Sequence, residues 1–261
     1  MIKLNPIWKK PPLELKLIGN ELHLWIAQID LPYDSVLRMV DYLSSDEVLR
    51  AKSYAFSKDR ERFIICRGIL RTLLGKYLNT DPRSLKFSYT YYGKPSICNS
   101  QINFNISHSG QLCLYAFSSK NQIGIDIEQI RYDFDEFDLA EKFFSQKEIF
   151  QLKMQPTQLR KKAFFNCWTR KEALIKAVGE GLSISLDSFS VPVEPYYSDD
   201  LLCIDSSLGN TSWESCKLKI LNARENYSSA VVMMEMPEEI KYWKWDLMSE
   251  EEQEVVKKII P

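Results

Sequence analysis

The sequence predicts an α+β protein built from two comparable halves, and three observations carry that expectation. Segments such as 21–29 and 123–128 alternate apolar and polar residues with the two-residue period of half-buried strands. Two longer stretches, 58–78 and 157–178, space their apolar residues for helices. The order strand, helix, strand then occurs once before residue 118 and again after 123, the pattern of a mixed fold rather than of a bundle or a sandwich.

With 261 residues, 45% apolar and 26% charged, the chain can bury one large core or two joined cores of roughly 100 to 150 residues each. A formal net charge of -1 gives no global attraction to nucleic acid, so anion recognition has to come from local clusters. Six cysteines, Cys66, Cys98, Cys113, Cys167, Cys203 and Cys216, form no Cys-x-x-Cys pair and mostly lie in apolar runs, the usage of reduced core thiols in a cytoplasmic protein. The first residues hold no apolar secretion core, and no segment approaches the roughly 18 uncharged residues of a membrane span.

Taken in order, residues 1–20 carry three prolines and read as an extended lead-in. Strand 21–29 sets His23, Trp25 and Ala27 on one face, with His23 at a strand edge rather than in catalysis. Ser44-Ser45-Asp46-Glu47 has the form of a helix cap and first turn. The helix over 58–78 offers Phe63, Ile64, Leu70, Leu73 and Leu74 to a core and also carries Arg60, Arg62, Arg67 and Arg71. Beyond the Asp81-Pro82 break come a strand at 87–92, the turn Gly93-Lys94-Pro95 and a strand from 102 that ends in the polar loop Ser107-His108-Ser109-Gly110. A further strand covers 112–117. The second half follows with strand 123–128, an acidic and aromatic loop at 131–138, helices over 139–152 and 157–178, and strands near 188–193, 216–221 and 228–236. This divides the chain into the lead-in 1–20, halves 21–120 and 121–240, and a tail 241–261 whose acidic run 250–254 reads as a solvated helix end.

Chemistry concentrates in the second half. On a helix, Trp168, Glu172 and Lys176 fall on one stripe at successive i, i+4 positions. Alternation puts Asp126 and Glu128 on one side of their strand, and three carboxylates from two elements suit a hard cation such as Mg2+, which keeps room for phosphate oxygens. Lys171 and Lys176 add ammonium groups on the helix, and the Gly93-Lys94-Pro95 turn and the Ser107-His108-Ser109 loop add anion donors. Each piece also has a plain explanation: Asp and Glu often flank buried strands, Glu172 and Lys176 support an exposed helix, and Ser-His-Ser caps a turn. No Walker loop, Gly-x-Gly-x-x-Gly or His-Glu-x-x-His occurs.

In this order, GKPSI (93–97), FNISHSG (104–110), IGIDIE (123–128), KFFSQKE (142–148) and WTRKEALIKAVGEGL (168–182) resemble the 4'-phosphopantetheinyl transferases of the long, two-half Sfp type, over roughly residues 21–236. The resemblance implies two α+β halves related by a pseudo-twofold axis, with coenzyme A in the cleft between them. It further implies transfer of the phosphopantetheine arm to a serine of an apo acyl or peptidyl carrier protein, release of 3',5'-ADP, dependence on Mg2+ and action as a monomer. Under it, Asp126, Glu128 and Glu172 are metal ligands, Glu172 also the base for the carrier serine, and Lys176 the lysine on the pyrophosphate. Lys94, Ser107 and His108 become coenzyme A contacts. Arg50 and Arg62 fall where the family grips the 3'-phosphate; Glu47 stands where some relatives are basic, and Arg67 is the second choice for that grip. Candidates for carrier docking are 131–137, Phe143 and Phe144, but the acidity of that loop leaves the docking surface unassigned. A Mg2+-dependent phosphohydrolase and a coenzyme A binding regulator without catalysis are the competing readings of the same residues.

Overall fold

The computed structural model describes residues 6–194, 202–203 and 216–246. Strand β1 (Glu21–Gln28) keeps the expected alternation, with Leu22 and Leu24 in one core and Trp25 and Ala27 in another. It is followed by α1 (Tyr33–Val40), α2 (Ser45–Lys52) and α3 (Ser57–Leu78), which stops where Asn79 turns left-handed at φ 49°. Strands β2 (Phe87–Tyr89) and β3 (Pro95–Ile97) form a small hairpin, and β4 (Asn103–Ser109) and β5 (Leu112–Ser118) pair antiparallel. Ser107 and His108 therefore lie within a strand, not in a loop after it. Ile65, Ile69 and Leu73 of α3 cover the sheet face formed by Trp25, Tyr115 and Phe117.

The second half opens with β6 (Ile123–Gln129) and continues through α4 (Glu136–Phe143), α5 (Gln146–Met154) and α6 (Thr157–Val178). Strands β7 (Leu202–Cys203), β8 (Lys217–Leu221) and β9 (Tyr227–Met233) complete a sheet of order β6-β9-β8-β7. Gly124 is what lets α6 lie directly on β6, since a Cβ there would come within 2.0 Å of the Ala173 carbonyl oxygen. The helix expected over 139–152 is two, because Ser145 accepts from the Glu148 backbone and starts α5 afresh. No strand forms at 188–193. There the Val191 N–H goes to the Glu148 carboxylate and the Leu186 and Phe189 carbonyls accept from Lys171, so side chains satisfy part of the backbone.

One strand had no counterpart in the sequence reading. Strand β10 (Glu239–Trp245) runs parallel beside β1, Glu21 opposite Glu239 and Ala27 opposite Trp245, giving a first sheet of order β10-β1-β5-β4. This leaves β1 internal, and His23, expected at an edge, is buried with Nδ1 on the Tyr77 hydroxyl at 2.7 Å and Nε2 on Glu21 at 3.0 Å. The acidic run 250–254 lies outside the described residues.

The two sheets share an apolar layer in which Leu22, Leu24 and Leu114 meet Ile123, Ile125, Ile127 and Val231. The adjoining edges of β4 and β6 are joined by side chains. Asn105 Oδ1 accepts the Ile125 N–H at 2.8 Å, Ser107 Oγ that of Ile127 at 3.4 Å, and Ser109 Oγ that of Gln129 at 3.0 Å. Helix α3 backs one sheet and α6 the other, which is the two-half α+β fold expected of the sequence.

Candidate active site

Because Ile123, Ile125 and Ile127 enter the shared layer, alternation turns Gly124, Asp126 and Glu128 toward α6. Helix α6 meets them with Glu172 and Lys176, one turn apart. Lys176 Nζ donates to Asp126 Oδ1 at 2.6 Å and to Ser107 Oγ at 3.1 Å, while Ser107 itself donates to Asp126 Oδ1 at 2.7 Å and Ser109 to Glu128 Oε2 at 2.7 Å. The zipper residues of β4 thus also hold the carboxylates of β6.

Burial, and then the Asp126 charge, raise the carboxyl pKa of both Glu128 and Glu172. Burial opposes the charge on Lys176, but Asp126, Glu172 and Glu128 outweigh it and raise that pKa too. Three carboxylates against one ammonium leave excess negative charge, and Asp126 Oδ2 is buried with no hydrogen-bond partner. An orphaned carboxylate oxygen beside two carboxylates of raised pKa suits a divalent cation. Among the described residues no group of three or more His, Cys, Asp or Glu side chains is already arranged to hold one, and Lys176 pairs with Asp126 Oδ1.

These groups line a cavity of about 550 Å³ between the halves, of the size that small-molecule sites usually have. Its walls include Ser107, His108, Asp126, Glu128, Trp168, Glu172 and Lys176. Packing around the His108 ring, then the Lys176 and Arg62 charges, lowers its pKa, which favours the neutral imidazole although the side chain reaches solvent. The lining also holds a basic and aromatic group, Arg50, Tyr54, Phe63, Arg67 and Tyr89. Arg50 lies over the Phe63 ring at 5.3 Å. Arg67 is held from three sides: it stacks 3.8 Å from the Phe87 centroid, its Nε pairs with Glu47 and its Nη2 donates to the Tyr89 hydroxyl at 2.9 Å. Glu47 is fixed in turn by Arg71 at 2.6 Å. Burial alone would raise the Glu47 carboxyl, but Arg67 and Arg71 prevail and hold it below its usual range.

Asp126, Glu128, Glu172, Lys176, Ser107, His108 and Arg50 are thus brought to one cavity, and three other expected residues are not. Lys171 sits about 100° round the helix from Glu172, and its buried ammonium pairs with Glu148 at 2.7 Å in the core of the second half. Lys94 turns from the cavity that its neighbours Gly93 and Pro95 line, and its Nζ donates to the backbone carbonyls of Ile123 and Ala177. Arg62 is not in the wall and lies 3.8 Å from Asp59. The wall residues Tyr54 and Cys66 went unread because nothing local marks them, and Tyr89 went unread although its place in the strand before Gly93-Lys94-Pro95 was a signal.

Comparison with known proteins identifies the family. Residues 122–232 match the family model of the 4'-phosphopantetheinyl transferase superfamily, and residues 32–120 match that of the 4'-phosphopantetheinyl transferase N-terminal region. The chain is 39% identical over 196 residues to 4'-phosphopantetheinyl transferase HetI of Nostoc sp., covering 74% of this chain and 82% of that protein. It is 30% identical over 206 residues to 4'-phosphopantetheinyl transferase Sfp of Bacillus subtilis, covering 78% and 88%. To the human L-aminoadipate-semialdehyde dehydrogenase-phosphopantetheinyl transferase it is 28% identical, covering 62% and 57%.

Proposed function

The chain belongs to the 4'-phosphopantetheinyl transferase superfamily, and from that premise we propose that it moves the phosphopantetheine arm of coenzyme A onto a serine of an apo acyl or peptidyl carrier protein, with Mg2+, releasing 3',5'-ADP. The observation that carries the reading is the single cavity whose lining combines Asp126, Glu128, Glu172 and Lys176 with Arg50 and Arg67, a set suited to a ligand that carries several phosphates.

Asp126, Glu128 and Glu172 would hold Mg2+, which supplies charge neutralisation to a pyrophosphate when bound. Lys176 faces the same oxygens and balances charge on the leaving group. The carrier serine oxygen bonds to the β-phosphorus as the bond to the bridging oxygen breaks, and its proton passes to Glu172, which lines the cavity with Lys176. Ser107 and Ser109 orient the carboxylates, and neutral His108 donates one ring N–H to a phosphate oxygen. Arg50 and Arg67 take the 3'-phosphate, the halves dividing near residue 120. Cys66, Cys98, Cys113, Cys167 and Cys216 are free thiols, the usage of a reducing compartment, and the proposal makes the enzyme a monomer working in the cytoplasm; no described helix is long and apolar enough to cross a membrane.

The test is to weigh an apo carrier protein intact after incubation with the enzyme, Mg2+ and coenzyme A. A phosphopantetheine increment is expected; nucleotide cleavage without it would mean a hydrolase, and neither would mean binding alone. Asp126→Asn and Glu172→Gln should each lower the rate by about 10² or more, the scale of losing a catalytic charge or base, with the thermal transition retained. Full activity in either variant would refute the role given to that carboxylate.

A further inference from the structure

Lys94 belongs to the β2–β3 turn of the first half, but its ammonium is spent on the second. Nζ donates to Ile123 O at 3.2 Å and to Ala177 O at 2.9 Å. Ile123 opens β6, three residues before Asp126, and Ala177 follows Lys176 in the last turn of α6. One cation therefore ties together the two elements that carry Asp126, Glu128, Glu172 and Lys176.

Three features make this tie a built one. Residues 123, 125, 127 and 129 turn their backbone groups to the same edge of β6. Asn105, Ser107 and Ser109 meet the last three, and Lys94 takes the first, so it is the next rung of the zipper between the halves. Ala177 O is one of the carbonyls that a helix end leaves without an intrahelical partner, and a cation is favoured there. The chain after α6 makes room for the turn: Gly179, left-handed at φ 81°, would with a Cβ approach Lys94 Cδ to 2.9 Å, and a Cβ on Gly181 would lie 3.5 Å from Tyr92 Cβ. Burial lowers the Lys94 pKa to about 8, as expected of an amine enclosed between the halves.

We propose that Lys94 is a positioning residue, which fixes β6 and α6 against the cavity wall formed by Gly93 and Pro95 and so sets the spacing of those four residues, instead of binding a phosphate itself. The proposal rests on the transferase reading above.

Lys94→Met keeps the stem and removes the ammonium. With Mg2+ and an apo acyl carrier protein, its kcat at saturating coenzyme A should fall about tenfold or more, since shifts near 1 Å cost up to about 10²-fold. Its calorimetric Kd for coenzyme A should stay within about threefold, well under the tenfold that marks a lost 1.4 kcal/mol contact. Lys94→Arg should recover part of kcat. Gly179→Ala, which crowds the stem, should lower kcat similarly, and the double variant should fall short of the product of the two losses, as for groups acting through one contact. Amide exchange at Ile125 and Ile127 should quicken in Lys94→Met whether or not the protein is active. A Kd weakened tenfold with kcat intact would make Lys94 a phosphate ligand and overturn the proposal, as would unchanged exchange. If Lys94→Met does not fold, Lys94→Arg and Gly179→Ala carry the comparison. Failure of the wild type to modify any carrier tells against the transferase reading, whereas the exchange result tests the tie independently.

Discussion

A guanidinium stacked on Phe87 and tied to Glu47 and Tyr89 has little freedom left to lose when it meets an anion. That makes Arg67, with Arg50, the better candidate for the 3'-phosphate than Arg62, which lies outside the wall. Arg67→Lys keeps the charge but loses the planar fork. It should weaken coenzyme A about tenfold or more in titration calorimetry, the scale of a charge-assisted hydrogen bond, while 3'-dephospho-coenzyme A changes little. Arg62→Ala should change both by less than about threefold. The reverse ranking would return the grip to Arg62. The carboxylates and Lys176 were legible in the sequence because two local periods, the alternation of β6 and the i, i+4 stripe of α6, decide which way they point. Arg67 was legible only as a second choice, since its setting depends on Glu47, twenty residues away in the chain, and Lys171 misled because adjacency in sequence is not adjacency on a helix.

The two short helices α2 and α5 use one device. Each opens with a capping box, Ser44 with Glu47 and Ser145 with Glu148, and each box glutamate also anchors a cation of the long helix that follows, Arg67 and Arg71 on α3 and Lys171 on α6. The halves are thus alike in chemistry as well as in layout, although only the first box was legible; the second sits inside an apolar-periodic stretch that reads as one helix. Glu47→Gln leaves two guanidinium groups with a neutral partner, and breaking such a buried set costs about 3 to 5 kcal/mol. Its sign with pH follows from the depressed carboxyl: the stabilisation is complete above the ordinary value of 4.5 and fades as pH falls through the lower folded-state value. Urea midpoints at pH 7 should separate wild type from variant widely, and the gap should narrow below pH 4.5. A gap of constant width would show that Glu47 acts by shape alone.

At the scale of the whole molecule, side-chain rungs between β4 and β6 align the halves, and Asn105 supplies the most buried one. Asn105→Ala leaves the Ile125 N–H without its acceptor, a cost of about 1 to 3 kcal/mol and a Tm lower by several degrees for a chain of this size. Calorimetry showing an unchanged Tm would mean the rung contributes nothing. The fold class was legible from composition and period, but not β10, since parallel pairing with a strand more than two hundred residues earlier leaves no local mark. That pairing bears on how the protein is made. The ribosome delivers β1 early and β10 late, so at about 5 to 20 residues per second the nascent first sheet waits on the order of tens of seconds with one side of β1 unpaired. Such an edge is a template for misassociation, which makes the interval between the two strands the most vulnerable stage of biosynthesis, and expression at lower temperature or with a chaperone the natural remedy for poor yield.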